Sequence, residues 1–113
     1  MSERDWTLFI EDILESIDLI DKYISNITLE DFKDDRKTQD AVIRNLEVIG
    51  EALKNIPVEI RDAHSDVDWK GFIGLRNIII HQYFGISLPI LWTIITKDIK
   101  NLKTNIESIK FYK

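Results

Sequence analysis

The chain has 113 residues, a net charge of −5, and 44% apolar, 31% charged and 10% aromatic residues. That length is read as one domain, 1–113, with room for a single modest core, and the composition excludes wholesale disorder. The absence of cysteine excludes disulfides, thiolate metal sites and cysteine nucleophiles, and only four Gly and two Pro argue for long helices over many tight turns.

Apolar residues at 6, 9, 10, 13, 17, 20, 24 and 27 recur at steps of three and four, the period of an amphipathic helix. Glu11, Asp12, Glu15, Asp18 and Asp21 fall mostly on its other side. Thr28 and Asp31 have the spacing of a capping box and restart the chain in a short helical turn, which ends near Lys33-Asp34-Asp35-Arg36. Val42, Leu46, Ile49, Leu53 and Ile56 mark a second long helix, which Pro57 terminates. Residues 57–63 read as a short helix and 64–68 as a loop. Asp68 is placed to cap a third long helix, from Trp69 to about Phe84, which stops near Gly85. Ser87 is placed to cap the last helix, with Pro89 in its first turn and an apolar stripe of Leu91, Ile95, Ile99, Leu102, Ile106 and Ile109. The fold class is therefore all-α, an antiparallel bundle of four to five helices.

Met1 leads straight into the polar Ser2-Glu3-Arg4-Asp5, so no secretory leader is expected. The longest nearly charge-free stretch, residues 84–95, is too short to cross a bilayer and is interrupted by Gly85 and Pro89. The expected location is the cytoplasm, with no membrane partner. Charge is uneven along the chain. Residues 1–35 hold eleven acids against three bases, a balance of −8, and residues 36–113 hold nine acids against twelve bases, a balance of +3. Two differently charged faces, or two ordinary solvated helix faces, would each account for this. A pI near 5 lacks the basic footprint of a nucleic-acid binder.

Residues 69–84 break the amphipathic pattern. On a helix they are apolar almost all round, apart from a narrow stripe of Lys70, Gly74, Asn77 and His81. A helix with so little solvent face is either central to the bundle or packed against a second subunit. Gly71 and Gly74 weaken a helix interior, and close packing is the expected reason for them. A competing local reading makes the β-branched and aromatic run 77–84 a strand, which the helical neighbours disfavour. Asn77 and His81, four apart, are neighbours on one face, and Arg76 and Tyr83 share another flank. An Arg among Ile and Phe needs a carboxylate or a phosphate, and Glu47 and Glu51 on the preceding helix are the candidate ion-pair partners. Pattern alone leaves open a structural ion pair for Arg76 and a hydrogen-bonded core histidine for His81. Trp6, Trp69 and Trp92 read as packing residues, and His64, in a polar loop, is assigned no function.

Residues 76–83, Arg-Asn-Ile-Ile-Ile-His-Gln-Tyr, have the R-x4-H-x-Y form of the HEPN ribonuclease motif. The flanking text supports the match: Thr38 to Val42, Asn45 to Ala52 with its Gly50-Glu51-Ala52, Trp69, Gly74-Leu75, and Phe84-Gly85-Ile86. Over residues 5–108 the chain resembles the HepT-like branch of that superfamily. The resemblance implies a HEPN-like helical homodimer, the toxin of a toxin–antitoxin pair. It implies a metal-independent endoribonuclease, without cofactor, whose cleft is built from the motif helices of both protomers. His81 would serve as general acid or base, Arg76 as the clamp on phosphorane charge, and Asn77 as an orienting donor or acceptor. The implied antitoxin partner is a nucleotidyltransferase of the MntA type, which transfers AMP to Tyr83. Two alternatives stand beside it: a non-catalytic helical substrate-binding subunit of a two-chain nucleotidyltransferase, and a plain dimeric interaction module whose motif is structural. Electrostatic capture of RNA falls to a local cleft, with Lys70 and the C-terminal lysines as its candidate cations.

Overall fold

The first three long helices begin at an aspartate whose carboxylate accepts one of the first free N–H groups, and this sets their boundaries. The computed structural model describes residues 5–82 and 87–110, apart from the side chains of 76–82 and 110. Helix α1 spans Trp6–Ile24, and the Asp5 carboxylate accepts from Thr7 N–H at 3.0 Å. Helix α2, Leu29–Lys33, starts on a reciprocal capping box: Asp31 N–H donates to Thr28 Oγ1 at 3.1 Å and Thr28 N–H to Asp31 Oδ2 at 3.0 Å. Asn26, in the turn between them, takes a φ of 63°, a left-handed conformation that Asn tolerates better than most residues. Helix α3, Arg36–Lys54, starts on Asp35, whose carboxylate accepts from the N–H of Thr38 at 3.0 Å and from its hydroxyl at 2.6 Å. That hydroxyl bond, with the backbone bond behind it, holds the Asp35 carboxyl below its ordinary value. Helix α4 spans Val58–Ala63, and α5 spans Trp69–Gln82.

The last long segment is one rod in three parts: α6 (Leu88–Thr93), a π-helical turn (Ile94–Asp98) and α7 (Ile99–Lys110). The sequence reading has an unbroken α-helix here. Instead, Ile99 N–H reaches back five residues to Ile94 C=O, and the Thr96 hydroxyl donates to Trp92 C=O at 2.6 Å. A threonine hydroxyl that takes a carbonyl four residues back competes with the regular ladder and favours such a widened turn. Ser87 stands at the N-cap position but its side chain makes no capping bond. Its carbonyl accepts Leu91 N–H at 2.9 Å, so Pro89, which has no N–H to satisfy, does more than Ser87 to set the start.

Four long segments and two short helices thus form the bundle expected from the periodicity. The strand alternative for residues 77–84 is overturned as far as Gln82, because the chain is helical there. The core is aliphatic. Ile10, Ile13, Ile17 and Ile20 of α1 meet Val42, Leu46, Ile49 and Leu53 of α3, and all six stripe residues of the rod are buried. Helix α3 is central, with α1 on one side and α5 on another. The rod turns to different partners along its length. Before the π-helical turn α6 packs on α2, where Phe32 and Trp92 lie 5.3 Å apart, and after it α7 packs on α1. There Lys103 Nζ lies 3.4 Å from Asp18 Oδ1, and this bond raises the lysine above its ordinary pKa. At this contact a base of the C-terminal helix meets an acid of the acidic N-terminal segment. Among the described residues no helix is long and apolar enough to cross a membrane.

Candidate functional site

The motif helix is fixed at its start. Asp68 caps α5, accepting Gly71 N–H at 3.1 Å through Oδ1, and Trp69, nearly buried, donates its indole N–H to His64 C=O at 2.9 Å. The second bond ties the 64–68 loop to the helix, and Asn105 Nδ2 ties the same loop to α7 through Asp66 C=O at 3.2 Å. Trp69 and Trp92 are packing residues, as read from the sequence.

The main partner of helix α5 is α3, and in its described first half Trp69 is buried while Phe72, Ile73 and Leu75 are half-buried against the core. The two glycines also have different reasons from the close helix packing expected of them. A Cβ on Gly71 would run into the Asp68 carboxylate, so this glycine leaves room for the cap. A Cβ on Gly74 would have nothing within 4 Å among the described residues.

Arg76, Asn77 and His81 lie together on α5, with Arg76 and His81 separated by about 7.5 Å along its axis. Their side chains lie outside the described set, and Tyr83 lies outside the described residues. Five positions turn a helix by about 140°, so a single α5 does not bring Arg76 and His81 to one point. Glu47 and Glu51 lie on α3, the helix against which α5 packs. Glu47 is 3.9 Å from Arg44 Nη1, a contact within α3, and Glu51 is exposed. Their pairing with Arg76 lies outside the described side chains. Among the described residues no three His, Asp or Glu side chains gather where they could hold a metal ion.

Two clefts flank the first half of α5. One, of about 650 Å³, lies against the rod and has Phe72, Leu75 and Ile94 with Asp66, Asp98 and Asn101 in its walls. The other, of about 710 Å³, lies between α4 and α5 and includes Arg61, Asp62, Lys70, Ile73 and Gly74. Sequence reasoning assigned nothing to Arg61. Its signal is three-dimensional: Arg61 Nε is buried without a hydrogen-bond acceptor.

An all-α bundle that carries Arg, Asn and His at R-x4-H spacing on a single helix has the build of a HEPN-type ribonuclease. The model of the family described as Ribonuclease HepT-like matches residues 13–109. A protein of Thermococcus cleftensis named "Probable ribonuclease HepT" is 43% identical over 102 residues, covering 90% of this chain and 93% of its own. A Methanocaldococcus jannaschii protein named as a putative RNase is 40% identical over 109 residues, covering 96% of this chain and 100% of its own. Another from that organism, named as a gamma-glutamylcyclotransferase and putative RNase, is 43% identical over 106 residues, and the match spans 94% of this chain but only 48% of that relative's length. No solved structure matches the chain. The chain belongs to the ribonuclease HepT-like family and is an enzyme of the endoribonuclease class.

Proposed function

We propose that this protein is the toxin of a toxin–antitoxin pair, a homodimeric endoribonuclease that cleaves RNA without a metal ion. The observation that carries the reading is the R-x4-H-x-Y spacing, its Arg76 and His81 on α5, in a chain of this family. The residue types suit the reaction. A base takes the proton from the ribose 2′-hydroxyl, the oxygen attacks phosphorus, and the P–O5′ bond breaks as an acid protonates the leaving oxygen. The products are a 2′,3′-cyclic phosphate and a 5′-hydroxyl. His81, with an imidazole that titrates near neutrality, performs proton transfer. Arg76 neutralises charge that builds on the phosphorane oxygens, and Asn77 orients His81 or a phosphate oxygen.

Homodimerisation supplies what one helix lacks. Two α5 helices that cross at a dyad bring Arg76 of one protomer towards His81 of the other. The half-buried Phe72, Ile73 and Leu75 support α5 as the meeting face. A nucleotidyltransferase antitoxin neutralises the enzyme by adenylylation of Tyr83, which adds bulk and negative charge two residues from His81.

The test is cleavage of RNA by the purified chain in EDTA, with His81→Ala and Arg76→Ala as variants. Cleavage that persists under chelation and is lost in both variants, with folding intact, is the expected result. No cleavage by the wild-type chain would favour the substrate-binding subunit. Cleavage lost on chelation and restored by a divalent ion would remove the metal-independent mechanism.

A further inference from the structure

We infer that Arg61 and Lys70, which line the same cleft between α4 and α5, form a phosphate-binding subsite for the RNA strand, remote from the scissile bond. The inference rests on the ribonuclease reading and extends it to residues outside the motif. Three observations support it.

The first is the state of the two cations. Arg61 and Lys70 line one cleft of about 710 Å³, and among the described residues neither forms an ion pair. Arg61 Nε is also buried with no acceptor, an arrangement that native structures rarely leave unfilled. The acids in the same walls do not fill the role. Asp68 Oδ1 is committed to the Gly71 N–H, and Asp62 makes no ion pair with Arg61. An arginine fork and an ammonium lining one cleft suit the oxygens of a phosphodiester.

The second is position. Lys70 and Gly74 occupy the same helical stripe as Asn77 and His81. Along the α5 axis Lys70 precedes Asn77 by about 10.5 Å and His81 by about 16.5 Å. At about 3.4 Å per stacked nucleotide, that separation spans roughly three to five nucleotides. The cleft therefore lies at a strand's length from the motif, on the register that leads to it.

The third is the floor between them. Gly74 lines this cleft, and among the described residues nothing lies within 4 Å of where its Cβ would be. A bare helix backbone at that point lets a strand pass close to α5 on its way from the cleft to the motif. The chain's overall charge of −5 makes such a local site necessary, because the protein as a whole repels RNA.

The probe is a short 2′-O-methyl oligoribonucleotide, which binds but has no 2′-hydroxyl to react. Its affinity is measured against salt concentration for the wild type, Arg61→Gln, Lys70→Gln, Arg61→Lys and Lys22→Gln, with thermal melting as the folding control and unmodified RNA cleavage by the wild type run in parallel. Each Gln variant in the cleft should lower the slope of log affinity against log salt by about 0.7, the value for one lost phosphate contact on a single strand. Arg61→Lys should restore most of the slope, and Lys22→Gln, on exposed α1 surface, should keep it. If the wild type cleaves RNA but both cleft variants keep its slope, the subsite is wrong and the ribonuclease reading stands. An equal drop in Lys22→Gln would assign the effect to net charge and overturn the subsite. If the wild type neither binds nor cleaves, the ribonuclease reading fails and the subsite with it. Lys70 is exposed, so its variant decides the matter even if Arg61→Gln does not fold.

Discussion

Gly71 and Gly74 lie one turn apart on the same helix, and substitution by alanine should move stability in opposite directions. Alanine in a helix interior gains about 0.5–1 kcal/mol over glycine, mainly through the entropy of the unfolded chain. At Gly74 nothing among the described residues within 4 Å opposes the new methyl group, and neither glycine has a positive φ, so Gly74→Ala should collect that gain. For 113 residues, an unfolding entropy of about 2.1 cal/mol/K per residue converts 1 kcal/mol into about 4 °C, so the melting temperature should rise by roughly 2–4 °C. At Gly71 the methyl group meets the Asp68 carboxylate, and displacing that cap costs about 1 kcal/mol, which cancels or exceeds the propensity gain. The measurement is urea unfolding and thermal melting at several protein concentrations, so that any subunit contribution separates from the fold of the single chain. RNA cleavage by the same preparations should show the reverse order for Gly74→Ala, with greater stability and lower activity, because the RNA strand needs the surface that the methyl group occupies. A concentration-independent loss of stability in Gly74→Ala would refute the reasoning.

Three further outcomes are expected. Phe32→Ala removes a fully buried ring tilted against Trp92 and should cost about 3–5 kcal/mol in urea unfolding, and a cost below about 1 kcal/mol would show that α2 is not part of the cooperative core. The Asp35 carboxyl is held below its ordinary value by Thr38, so its contribution to the start of α3 is complete above the unfolded-state value of 3.8 and is lost as pH falls through the lower folded-state value. Asp35→Asn, which keeps a capping oxygen but does not titrate, should remove that part of the acid dependence in circular dichroism. Co-expression with a neighbouring nucleotidyltransferase should add mass in units of AMP, seen by intact-mass spectrometry, and Tyr83→Phe should abolish the addition; additions that persist in the variant place the modified residue elsewhere.

What could be read from the chain follows a physical divide. Local signals were legible because they act over three or four residues: the Thr28–Asp31 box, the cap at Asp68, and the stripe from Leu91 to Ile109, whose six members are all buried. The motif was legible because the order of residue types is itself the signal. Features set by tertiary neighbours were not. Gly74 looks like Gly71 in the sequence, and only the fold shows that Gly71 accommodates a cap while Gly74 meets nothing among the described residues. Arg61 is one arginine among several charged residues on a short helix until α4 packs beside α5 and leaves its Nε without an acceptor. The apolar character of α5 left two readings open, a central helix or one packed on a second subunit, and in its first half the structure shows Phe72, Ile73 and Leu75 half-buried beside α3.

The π-helical turn at Ile94–Asp98 bears on how chains of this kind can change length. A widened turn holds one residue more than the regular helix would place between the same two ends. Removing a residue inside it closes the turn to ordinary α geometry and leaves α6 facing α2 and α7 facing α1, as they do now. The same deletion between Ile99 and Ile109 would rotate everything beyond it by about 100° and carry Ile106 or Ile109 out of the core. Single-residue gaps among homologous chains should therefore gather at 94–98 and be absent from the helix that follows.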